Sequence, residues 1–252
     1  MRLFKIFISI SLFTLFTIMS CNEGTNQSKR KTKTKEVIHS HNSLTPEEVA
    51  GGWELLYDGK STRHWRGYNQ SDFPKKGWYI DVEKNLVGES EGSIVTKNRF
   101  VNFDLKLEFK LSEETNSGIF YKIKEIKDTA MWVSGLEYEL VHPKMINSAG
   151  DIPIEKHSTA DVYDLFSKTT KIEIPRKAWN SARVVVLNNY VEHWLNDKLY
   201  LEYKIGDENW NQLVPQSKFR NYPFFGKTNF GNIGLQQDIG TVKFRNIKIK
   251  EL

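Results

Sequence analysis

The 252-residue chain contains one cysteine, Cys21, so no disulfide can form within it. No segment repeats at a fixed period, which argues against a propeller or a solenoid. Helical periodicity is scarce. Thr45-Pro46-Glu47-Glu48 predicts a single capped turn, and no amphipathic helix follows it. The folded part also lacks net charge. Residues 1–36 carry seven Lys/Arg against Glu23 and Glu36, which accounts for the whole chain's net +5. The basic excess therefore belongs to the N-terminus and gives no reason to expect nucleic acid as a partner.

The N-terminus has a recognisable order. Arg2 and Lys5 precede an apolar run, Ile6 to Met19, that ends at Ser20-Cys21. A short positive start, a short apolar stretch and a small residue predict an export signal rather than a spanning helix. Cys21 directly after it resembles the lipobox of bacterial lipoproteins, which implies lipidation of Cys21 and anchoring at the outer membrane, on its periplasmic or its surface face. Residues 22–42 are polar and basic without apolar periodicity, and read as a disordered tether able to lie along anionic lipid. A single domain of some 200 residues is expected from about Ser43 to Leu252, long enough for a sizeable core.

Within that domain the pattern is β. Phe103 to Leu111 alternates apolar and charged residues at period two, as does Leu136 to Leu140. Shorter strands are expected at 53–57, 78–82, 85–88, 93–96, 119–123, 162–166, 183–187, 190–195, 199–203, 231–237 and 242–249. Turn pairs such as Asp58-Gly59, Asn188-Asn189 and Asn196-Asp197 separate several of them. Residues 143–160 read as a long surface loop, and 207–230 as irregular or weakly helical. Many short strands with turn signals between them predict an all-β sandwich or jelly roll.

One strand carries unusual chemistry. Gly135-Leu136-Glu137-Tyr138-Glu139-Leu140 sets Leu136, Tyr138 and Leu140 on one face and two carboxylates side by side on the other. Adjacent carboxylates raise each other's proton affinity unless a cation or hydrogen-bond donors separate them. Such a pair suits acid–base work or sugar binding, although a solvated outer face would read the same way.

Several strings in order resemble a known family: Trp53-Glu54-Leu55-Leu56-Tyr57-Asp58-Gly59-Lys60 with Trp65; Asn116-Ser117-Gly118-Ile119-Phe120-Tyr121-Lys122; Gly135 to Leu140; Tyr163-Asp164-Leu165; Trp179-Asn180; Glu192 to Asn196; and Gly234-Leu235-Gln236 with Phe244 to Ile247. Together they are similar to the 3-keto-disaccharide hydrolase family over residues 50–252. The resemblance implies a concanavalin A-like jelly roll of two antiparallel sheets, acting on glycosides oxidised to a ketone at sugar carbon 3. Lys122 stands where that family usually has Arg, Glu139 where it has Gln, and Asp238 where it has His.

Cleavage of a 3-keto glycoside by elimination and hydration needs a base for the carbon 2 proton, a donor or cation at the ketone oxygen and an acid for the leaving group. No cofactor is required. Alternation groups Lys122, Glu137, Glu139, Glu192, Trp194, Gln236 and Asp238 on one concave surface, with His157 and Asp164 from the loop side. Glu137 is the expected base and Lys122 the oxyanion partner, with His157 and Asp164 as further catalytic candidates. Glu139, Glu192, Gln236 and Asp238 are expected to bind the sugar, and Trp194 to stack on a pyranose ring. Trp65 and Trp132 are candidate platforms, whereas Trp53, Trp78 and Trp179 belong to the core. His193 reads as a core histidine, and Arg183 and Arg245 as members of internal salt bridges. Glu137, Glu139, Asp238 and His157 could also hold a divalent cation such as calcium, and His142 with His157 a metal pair. The other reading is a carbohydrate-binding lipoprotein without catalysis, with a structural surface lipoprotein ranked after it.

Overall fold

The computed structural model describes residues 41–89, 92–143, 145, 156–175 and 177–252. The expected signal segment, Cys21 and most of the expected tether lie outside these residues. The packed part of the described chain includes Asn42, one residue ahead of the expected start at about Ser43. Asn42 is buried, and it exchanges hydrogen bonds with Asn246, each backbone N–H donating to the other's side-chain oxygen. The predicted turn is present as α1 (Pro46–Ala50), closed by a reciprocal capping box between Thr45 and Glu48.

Thirteen strands follow among the described residues: β1 (Glu54–Leu55), β2 (Trp65–Gly67), β3 (Trp78–Ile80), β4 (Leu86–Gly88), β5 (Ser93–Thr96), β6 (Phe103–Leu111), β7 (Asn116–Ile123), β8 (Leu136–Val141), β9 (Asn180–Leu187), β10 (Tyr190–Leu195), β11 (Lys198–Lys204), β12 (Asn232–Ile239) and β13 (Val242–Glu251). They form two antiparallel sheets. The larger has the order β11-β10-β9-β6-β13-β4-β3, with β1 also on β13; the smaller runs β2-β5-β12-β7-β8. The fold is the jelly-roll sandwich the sequence predicts.

Alternation explains the core. Phe103, Leu105, Leu107, Phe109 and Leu111 point inward from β6, and Ile119, Tyr121, Leu136, Tyr138, Leu140, Ile233 and Leu235 meet them from the smaller sheet. His193 lies at the centre and is fully buried. Its Nδ1–H donates to the carbonyl of Ala160 at 2.9 Å, and its Nε2 faces the hydroxyl of Tyr121 at 2.7 Å. Burial lowers its pKa to about 4, so it is the neutral tautomer that fits both bonds. This histidine ties the two sheets together and does no chemistry at the surface.

One departure, and one stretch that is weakly helical as expected, shape the functional face. Residues 162–166 form no strand; residues 160–162 run alongside β8 instead. Glu139 N–H donates to Asp161 O, Ala160 N–H donates to Glu139 O, and Val162 bridges Tyr138. The stretch 207–230 contains α2 (Glu208–Leu213) and two 3-10 turns, Val214–Gln216 and Lys218–Asn221.

Candidate active site

The outer face of the smaller sheet carries the site. Register sets Gln236 of β12, Gly118 of β7 and Glu139 of β8 in one row, and Gly234, Phe120 and Glu137 in the next. Gly118 is needed there. A Cβ at that position would lie 2.5 Å from Glu137 Oε1, so the carboxylate of Glu137 occupies the space that the missing side chain leaves.

Glu137 is buried, and its pKa is raised to about 8. Burial is the largest cause, and the nearby Glu139 and Asp238 add to it, while Lys218 and His157 work against it. Glu139 is completely buried and is pushed further up by burial and by Asp161. Its Oε1 touches Nδ1 of His157, which burial drives down. The two directions agree. Burial favours the uncharged form of both groups. The edge of the His157 ring meets Tyr163 at a centroid distance of 5.3 Å.

The cation of the site is Lys218, from the segment without readable periodicity. Its ammonium sits 3.7 Å from the ring centroid of Tyr163, with Trp132 and Phe219 just over 5 Å away. Burial lowers its pKa, and the charges of Glu137, Glu139, Asp164 and Asp238 oppose that shift. Asp164, itself buried and at a positive φ of 58°, accepts the backbone N–H of Lys218 at 2.8 Å and so fixes where the side chain starts. Asp238 stands at the exposed rim on a bulge of β12, accepting from Asn116 Nδ2 at 3.0 Å.

Beside this cluster an open groove of about 860 Å³ runs over β12 and β5. Gln236, Asp238, Ser93 and Trp132 line it, with Tyr68 and Phe73 from the loops. Glu137 does not line the groove; Gly118, over which its carboxylate sits, pairs with the groove-lining Gln236.

The structure thus gathers Glu137, Glu139, His157, Asp164, Gln236 and Asp238, with Trp132 beside them, and leaves four expected members elsewhere. Lys122 does not reach Glu137. It takes a positive φ of 55° at a β-bulge opposite Asn232 and Gly234, which breaks the alternation and sends Nζ to Asn189 Oδ1 at 3.2 Å. Trp65 is core, 1 % exposed, its Nε1–H donating to Leu56 O. Glu192 and Trp194 do share a face, as alternation requires, and Trp194 Nε1–H donates to Glu192 Oε2 at 2.7 Å. That face belongs to the larger sheet, so the core separates them from Glu137. Trp53 and Trp179 are half-buried under Lys106 and Arg245 rather than within the core, whereas Trp78 is buried as expected. Arg183 pairs with Asp104 and Arg245 with Glu108. Among the described residues no group of three or more His, Cys, Asp or Glu is placed to hold a metal ion.

Lys218 escaped the sequence reading because nothing around it alternates; the one signal was the aromatic density of residues 210–230.

Comparison with known proteins places the chain in a family. Residues 52–250 match the 3-keto-alpha-glucoside-1,2-lyase-like domain. A 3-keto-disaccharide hydrolase of Bacteroides thetaiotaomicron is 30% identical over 231 residues, covering 81% of this chain and 79% of that protein. The crystal structure of a candidate glycosyl hydrolase from Parabacteroides distasonis superposes with a TM-score of 0.77 at 31% identity, covering 84% of this chain and 99% of the other. A second from the same organism, at 22% identity and a TM-score of 0.63 over 79% of this chain and 99% of the other, shares the fold. By the extent of these matches, the chain belongs to the 3-keto-alpha-glucoside-1,2-lyase-like family.

Proposed function

We propose that the protein cleaves 3-keto glycosides by elimination followed by hydration, with Glu137 as the base. The observation that carries this reading is the buried carboxylate of Glu137, held over Gly118, raised to about 8 and within reach of the charge of Lys218, with Gly118 paired to the groove-lining Gln236. A base with a pKa near neutrality keeps enough driving force to remove a weakly acidic C–H proton.

In the first step Glu137 takes the proton from carbon 2, and the electron pair moves to the carbon 3 oxygen as an enolate. Lys218, partly desolvated, offsets that charge. The enolate then re-forms the ketone and expels the carbon 1 oxygen with its bonding pair, leaving a carbon 1–carbon 2 double bond. A proton reaches the leaving oxygen from the solvent at the open groove. Water adds its oxygen at carbon 1 and gives up one proton to the solvent, replacing the one taken by the leaving oxygen, and protonated Glu137 returns its proton to carbon 2, so the enzyme ends as it began. Gln236 and Asp238 would hold hydroxyls, and Trp132 offers a ring face.

A nitrophenyl 3-keto-glucoside tests this directly. Wild-type protein should release nitrophenol, and Glu137→Gln should cut kcat/KM by about 10²–10⁴-fold. Turnover unchanged in that variant removes Glu137 from the mechanism. Glycan binding by the wild type with no turnover would make the domain a binding module instead.

We infer further that the chain is exported and lipid-anchored through Cys21, supported by the charged start, the apolar run and the single cysteine. Cys21→Ser should move the protein from the membrane to the soluble fraction on fractionation; retention in the membrane would contradict it.

A further inference from the structure

Away from the carboxylate cluster, the bulge at Lys122 opens a second polar cavity of about 350 Å³, lined by Val101, Asn102, Lys122, Asn188, Asn189 and Asn229. Lys122 is 3 % exposed, yet its ammonium meets a neutral amide and, among the described residues, no carboxylate. Burial alone lowers its pKa; no neighbouring charge contributes, which also sets it apart from Glu137 and Lys218. An uncompensated buried ammonium is costly, and it is held here by a strained left-handed backbone.

The asparagines show what would compensate it. An ammonium has only donors, so the Asn189 atom facing Lys122 is Oδ1, and Nδ2 of Asn189 is left to donate. Asn102 Oδ1 accepts the backbone N–H of Asn188 at 3.0 Å, which leaves Asn102 Nδ2 as a donor too. The lining therefore offers an ammonium and amide N–H groups and contains no carboxylate. The amides can serve a neutral or a charged ligand alike, but the ammonium lacks a counter-charge, and only an anionic ligand would supply one.

We propose that this cavity binds an oxyanion, a sulfate, phosphate or carboxylate group, free or carried on a sugar. The proposal does not depend on the reaction assigned to Glu137. Calorimetric titration of the full-length protein at fixed ionic strength, with sodium sulfate, glucose 6-sulfate and glucose as separate ligands, tests it. Saturable binding of at least one anion is expected, weakening as pH rises and Lys122 loses its proton. Lys122→Gln should weaken it by about tenfold or more. Asn229→Asp, at an exposed position, should do the same by placing a negative charge in the lining without disturbing the core. Equal affinity for sulfate and glucose 6-sulfate would identify the free ion as the ligand, and tighter binding of the sulfated sugar would identify a glycan; either upholds the site. No saturable binding of either anion, equal affinity in both variants, or equal binding of glucose would overturn it.

Discussion

At the scale of single residues the site is a balance of charges in a buried corner. Folded Glu137 holds its proton more tightly than an unfolded carboxylate does. Between the ordinary carboxylate range and about pH 8 the native state therefore binds the extra proton, and stability falls as pH rises through that window. Glu137→Gln should flatten the slope: thermal midpoints near the wild type at pH 4, and a gain on the order of a few kcal/mol at pH 9. In the wild type, kcat/KM should climb with pH as Glu137 ionises near 8 and fall again when Lys218 deprotonates; Glu137→Gln should lose the rising limb. Gly118→Ala is a finer probe. Its methyl would press on the Glu137 carboxylate, so activity should drop at least tenfold while the strand pairing survives. Glu139 stands where the resemblance implies a glutamine, and burial favours its uncharged form beside His157.

At the scale of elements, two segments beyond the regular strands complete the face. The 160–162 stretch lies along β8, and Asp164 beyond it holds the backbone of Lys218. Lys218→Gln should cost about 10²–10³ in kcat, because it removes charge aimed at the enolate. Lys122→Gln should leave kcat unaltered, and steady-state kinetics of the two variants distinguishes the lysines. The sequence showed the strands well, since period-two alternation follows directly from one buried face. It showed Glu137, Glu139 and Gln236 for the same reason. It missed Lys218, whose position depends on a tertiary hydrogen bond, and it misplaced Lys122, because one residue at positive φ inverts every inference drawn from parity.

At the scale of the whole molecule, parity fixes which residues share a face but not which sheet the face belongs to. Glu192 and Trp194 demonstrate this: they sit together, on the wrong side of the sandwich for the chemistry. Trp194→Ala should leave turnover of a 3-keto glycoside unchanged, as measured by initial rates. Trp65→Ala should cost about 3–5 kcal/mol in denaturant unfolding, since its ring fills the core behind the site.

The lock between Asn42 and Asn246 has a mechanical consequence. Asn246 belongs to β13 of the larger sheet, so the chain enters the domain through the layer opposite the groove. A load applied upstream of His41 is taken up by a strand bonded to three neighbours, β6, β4 and β1, rather than by the strands that carry Glu137 and Gly118. A pull on the chain ahead of Asn42 would thus leave the face of Glu137 unstrained.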